Sequence, residues 1–238
     1  MISASGGESK RIYRAPNESD YALLTKASSG IEKLRAQHSG DSPLLPESEI
    51  NHLRGFFNVV LYGMHRWSDL FSPRQALALS TIANLIREAG KRASKQEGAE
   101  FGAGVQTCLA MALGRLVDYS SSLCMWASSG EFVAHTFGRQ ALPMVWDFTE
   151  INPLSDTGWN GACEWVRRVL EATSQAALSP GIATQASALH QSLPTDSADA
   201  TITDPPYYSA IPYADLSDFF YGWLARVKHF ETPGIGVY

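Results

Sequence analysis

Residues 203–208, Thr-Asp-Pro-Pro-Tyr-Tyr, bring a carboxylate, two consecutive prolines and an aromatic ring into four successive positions, 204 to 207. That set suits chemistry on a planar exocyclic amine. Asp204 can accept one hydrogen of an NH2 group, and the rigid Pro205–Pro206 turn leaves the Pro205 carbonyl free to accept the other. Holding both hydrogens favours the pyramidal nitrogen that a methyl-transfer transition state requires and aims its lone pair at the donor. Tyr207 offers a flat face to a base, and such stacking is worth roughly 1–3 kcal/mol, comparable with the cost of extruding a base from a helix. A strand-ending turn draws on the same residue types, so the flanking elements must decide between the two.

Those flanks predict a strand and a helix. Asp199 to Thr203 is a short β-rich run that two prolines must end, because proline cannot donate to a sheet ladder. The motif would then lie at a strand's carboxyl end, where open α/β sheets place their ligands. A helix begins near Asp215, with Leu216, Phe219, Phe220, Trp223, Leu224 and Val227 on a broad apolar face. Upstream, Phe56 to Tyr62 reads as a strand closed by Gly63. Ser72-Pro73-Arg74-Gln75 sets an N-cap, a first-turn proline and a capping-box glutamine in register, starting a helix that Gly90 is expected to stop. Further helices are predicted over Val105–Tyr119 and Gly161–Thr173, the latter burying Ala162, Trp165, Val166, Val169 and Leu170. The chain divides into a polar lead-in at 1–48 with one short helix from Tyr21 to Gln37, a mostly helical region at 49–178, and a segment at 179–238 carrying the motif. The expected class is α/β, an incomplete Rossmann-like sheet around residues 185 to 204 with a large helical region.

Four separated blocks extend the motif: residues 203–226 (TDPPYYSAIPYADLSDFFYGWLAR), 62–82 (YGMHRWSDLFSPRQALALSTI), 118–126 (DYSSSLCMW) and 136–155 (TFGRQALPMVWDFTEINPLS). In these blocks, and over about Asn51 to Arg226, the chain resembles the large bacterial and archaeal adenine-specific DNA methylases that contain a zinc ribbon. The resemblance implies that Asp204, Pro205, Pro206 and Tyr207 form the amine-binding motif of a methyltransferase that uses S-adenosylmethionine and acts on DNA. It also marks two departures. The family's glycine-rich cofactor loop, of the type Asp-Pro-Phe-x-Gly-Gly-Gly, lies before the matching blocks, so the cofactor-binding residues are unknown and a companion chain is expected to supply them. The family's zinc-ribbon cysteines are also missing. N4-cytosine or guanine-N2 methylation of DNA or RNA is the alternative chemistry, and a non-catalytic remnant or interaction module the alternative role.

The remaining residues bound these expectations. The net charge of −5 works against a polyanionic partner, since phosphate binding is driven by Lys and Arg, although a local groove can still be basic. Cys108, Cys124 and Cys163 are too far apart for a zinc site, and His65, His135 and His190 are isolated, so no metal is expected. No apolar run is long enough to span a membrane and the first residues are polar, which points to a cytoplasmic protein with no membrane partner. Phe101-Gly102-Ala103-Gly104 imitates a cofactor loop but lacks a hydrophobic strand before it and reads as a helix entry. Asp147 and Glu150 read as a solvated helix face, and Arg66, Arg74 and Arg139 as partners of neighbouring acids rather than phosphate contacts. Arg87, Lys91, Arg92 and Lys95 read as a solvated helix end. Of the six tryptophans, at 67, 126, 146, 159, 165 and 223, those at helical spacing with other apolar residues are expected in the core, and none is offered to a base.

Overall fold

A computed structural model describes residues 2–5, 11–38, 43–176, 181, 186–187, 189, 193–208 and 210–227. Helix α1 (Glu18–Gln37) starts at Asn17, whose side chain accepts from the Ser19 and Asp20 amides while Asp20 reaches back to the Asn17 amide. Helix α2 (Pro73–Glu97) begins at the Ser72 cap with Gln75 closing the box, as the sequence predicts. It does not stop at Gly90. A side chain there would sit 3.0 Å from Gln106 of helix α3 (Ala99–Asp118), so Gly90 serves close packing between the two helices. The break comes at Gly98, at a φ of +99° that disfavours any side chain.

The described chain is mixed and mostly helical, completed by helices α4 (Trp159–Ala176) and α5 (Tyr213–Val227). Its strands pair as two antiparallel two-stranded sheets, β1 (Ile2–Ser5) with β2 (Arg11–Arg14), and β3 (Trp126–Ala127) with β4 (Phe132–Val133). Both strand expectations from the sequence are corrected. Phe56–Tyr62 becomes a turn followed by a 3-10 helix, Asn58–Tyr62, ended by Gly63 at a φ of +89°, and only Phe57 keeps a bridge, parallel to Leu142. Residues 199–203 are irregular and pair with no described strand. A β-rich composition makes a strand only where a neighbour completes its ladder, and here none does. Residues 185, 188 and 190–192 of the expected sheet region lie outside the described residues.

Helices α2 and α3 form the centre, with α1 against α2, α4 against α3, and α5 against both central helices. The core joins Leu79, Ile86, Leu113, Leu116 and Val117 to Phe57, Leu70 and Leu142 from the connecting loops. Trp67, Phe71, Phe137, Phe219 and Trp223 interlock at its end by edge-on and stacked contacts of 5.1 to 6.2 Å. Helix α5 is fastened at its far end as well. Gly222 abuts Pro46, Gln106 Nε2 donates to the Val227 carbonyl at 2.5 Å, and the Arg226 guanidinium donates to the Gly222 and Leu45 carbonyls. Burial pulls Arg226 down to about 10, with Glu47 opposing the shift. Helix α4 departs from expectation, since Ala162 is its buried residue whereas Trp165, Val169 and Leu170 are exposed.

Candidate functional site

The motif leads into the amino-terminal end of α5, five residues separating Tyr207 from Tyr213. Asp204, Pro205, Pro206 and Tyr207 are all exposed, Tyr207 at 71%. They extend from irregular backbone rather than from the carboxyl end of a strand. Downstream, Phe219 and Trp223 fix α5 in the core. Upstream, Ser197 Oγ donates to the Pro194 carbonyl at 2.7 Å across a turn in which Asp196 adopts a φ of +60°. That turn walls a shallow concavity of about 410 Å³ with Leu193, Pro194 and Thr201, and no motif residue lines it. On α5 itself, partial burial pushes the Asp218 carboxyl up, and the neighbouring Asp215 charge adds to the shift.

The other sequence candidates separate cleanly. Phe101–Gly104 lies within α3, and the Gly102 amide donates to the Gly98 carbonyl at 3.1 Å. From Gly102 on, the amides are committed to the helix, and helix α2 rather than a strand precedes the segment, so it is not a cofactor loop of the strand-turn-helix kind. Asp147 is exposed on a loop, not a helix, and Glu150 is tied down by Ser72 Oγ at 2.5 Å and Arg74 Nε at 2.7 Å. His65 is exposed and His135 Nδ1 lies 3.2 Å from Asp118, while His190 falls outside the described residues. Among the described residues no group of three His, Cys, Asp or Glu could hold a metal ion. Burial raises the Cys124 and Cys163 thiols above their ordinary range, the wrong direction for a nucleophile.

Two expectations about cations and rings are corrected. Arg74 has its acid, but Arg66 and Arg139 pair with no described acid, and neither does Arg54. All three are exposed. Trp67 and Trp223 belong to the core and Trp126 and Trp159 are half-buried, but Trp165 is 54% exposed beneath the Arg115 guanidinium and Trp146 is 79% exposed. Trp146 meets Tyr62 edge-on at 5.8 Å. The pair is not legible in the sequence, because Phe56–Tyr62 reads as a strand, Trp146 is not read as a base contact, and no local spacing joins rings 84 positions apart. Arg87 bonds Asn84, and Lys91, Arg92 and Lys95 are exposed along α2.

No family model, curated protein or solved structure matches the chain. Among the described residues no helix is long and apolar enough to cross a membrane.

Proposed function

We propose that this chain is the motif-bearing part of an S-adenosylmethionine-dependent methyltransferase acting on N6 of adenine in DNA, and that a companion chain supplies the cofactor site. The observation that carries the proposal is the exposed Asp204-Pro205-Pro206-Tyr207 segment, set just ahead of a helix locked into the core. A site that must receive an extruded base needs its recognition atoms in the open and its mount rigid. Asp204 accepts one amine hydrogen, the Pro205 carbonyl accepts the other, and Tyr207 stacks on the ring. An incomplete Rossmann-like sheet belongs to the same proposal, residues 199–203 becoming a strand when the companion supplies a neighbour to pair with.

The test combines the chain with a partner that carries a glycine-rich cofactor loop and scores the modified base released from DNA. Asp204→Ala is expected to abolish methyl incorporation with the fold intact. Tyr207→Ala should weaken capture of the base by about one to two orders of magnitude and Tyr207→Phe should restore most of it. Full activity in Asp204→Ala removes the carboxylate from the mechanism. N4-methylcytosine or N2-methylguanine as product transfers the case to that chemistry. A second reading, a non-catalytic remnant, is favoured by the helical state of Phe101–Gly104; no turnover with any partner would establish it.

A further inference from the structure

We infer that the surface built from residues 54–66 and 139–146 binds single-stranded nucleic acid, its arginines on the phosphates and the exposed Tyr62–Trp146 pair on an unstacked base. The two segments run side by side. The Leu142 amide donates to the Phe56 carbonyl at 2.7 Å and Phe57 bridges Leu142 in parallel, both side chains fully buried. Arg54 and Arg139 each stand three residues before that bridge, and Tyr62 and Trp146 stand five and four residues after it. The ring contact at 5.8 Å shows that the segments are still together at that end. Beyond Tyr62, the Gly63 turn returns the chain to Arg66, which bridges Glu49 through the backbone.

Exposure and charge choose the occupant. Trp146 and Tyr62, 79% and 52% exposed, meet in one aromatic pair, and contiguous exposed apolar surface marks interaction sites more than single exposed rings do. Elsewhere in the described chain Arg14, Arg35, Arg74, Arg167 and Arg168 hold acids within 4 Å, Arg87 and Arg226 donate to neutral oxygens, Arg115 lies over the Tyr119 and Trp165 rings, and Arg92 is exposed without an acid. Arg54, Arg66 and Arg139 hold none, and the Asp69 carboxylate nearest Arg66 in sequence is occupied by the His65 and Arg66 backbone amides. Unneutralised guanidiniums on the same two segments as open π faces match a strand of phosphates with splayed bases. A duplex hides its base faces, so the single strand is favoured. Asp147 next to Trp146, and the exposed Glu49 across the backbone bridge from Arg66, oppose the phosphates and keep the affinity modest. The inference draws only its choice of polymer from the methylase proposal, since an amine on an extruded base must be presented by a strand that something else holds.

The experiment is fluorescence polarisation of a labelled oligothymidylate on the full chain with no methyl donor present. Binding is expected with a dissociation constant on the order of 10 µM at low salt. Arg54→Ala with Arg139→Ala should lower the slope of log K against log salt by about 1.4, and Trp146→Ala should weaken binding about tenfold while Trp146→Phe stays within about threefold of the parent. Asp204→Ala should bind unchanged, so failure here and failure of methyl transfer are read separately. No polarisation change at about 100 µM protein, equal binding by the arginine and tryptophan variants, preference for duplex, or equal displacement by polyglutamate would each overturn the inference. All these side chains are exposed, and circular dichroism of each variant checks the fold.

Discussion

Asp20 shows how much one carboxylate can settle at an element's start. It accepts from the Arg14 guanidinium at 2.6 and 3.0 Å and from the Asn17 amide at 2.8 Å, first the side-chain bond and then the backbone bond holding its pKa down at about 2, below the ordinary 3.8. A folded pKa below the unfolded one contributes stability that is fully present above the unfolded value and is lost as pH falls through the folded one. Helix α1 should therefore loosen between about pH 4 and pH 2. A carboxyl NMR titration is expected to place the Asp20 midpoint near 2, and Arg14→Ala should move it up toward 3.8; an unmoved midpoint would show that Arg14 is a bystander. The same scale shows what a residue's type can and cannot disclose. Ser72 and Gln75 declare a helix start because each is the other's partner three residues away, and Pro73 fits the first turn by its fixed φ. Arg74 finds its acid at Glu150, 76 positions along, and Trp146 stays open while Trp223 is fully buried, because burial follows from tertiary neighbours that no local spacing contains.

Among the elements, the crossing of α2 and α3 is the most closely built. A Cβ on Gly102 would lie 2.6 Å from the Ser94 amide nitrogen and 2.7 Å from the Gly90 carbonyl oxygen, backbone atoms that cannot step aside. A Cβ on Gly104, two positions on in the same helix, meets nothing within 4 Å. Gly102→Ala should therefore cost about 1–3 kcal/mol or more as the helices are forced apart, whereas Gly104→Ala should stabilise by up to about 1 kcal/mol through helix propensity. Urea unfolding of both variants measures the contrast, and similar midpoints for the two would mean that the crossing is not tight. Apolar periodicity made α2, α3, α4 and α5 legible, and their ends moved because glycine carries two meanings: at Gly90 it lets a helix approach, and at Gly98 it ends one. The apolar stripe of α4 was legible too, but a stripe does not say whether a partner covers it, and Trp165, Val169 and Leu170 lie open. The expected strand ahead of Asp204 is absent for a related reason, since a ladder depends on a second strand that the run itself does not encode.

Across the whole molecule, the buried cluster takes Ile31, Leu44 and Leu45 from the polar lead-in, Leu79, Leu113 and Leu116 from the helical region, and Phe219, Trp223 and Val227 from the motif-bearing segment. Helix α5, which follows the motif, thus shares one core with α2 and α3. Elements that share a core should unfold together, because removing one exposes the apolar surface of the others. Thermal unfolding followed by tryptophan fluorescence and by far-ultraviolet circular dichroism should accordingly give one coincident transition. Trp223→Ala on α5, with its ring fully buried against Phe71, should lower that transition by about 3–5 kcal/mol of stability, and Leu113→Ala on α3 by about 2–5 kcal/mol, each moving both signals equally. Two transitions, with Trp223→Ala displacing one and Leu113→Ala the other, would mean that the residues from 179 onward fold by themselves and that α5 docks on a finished helical unit.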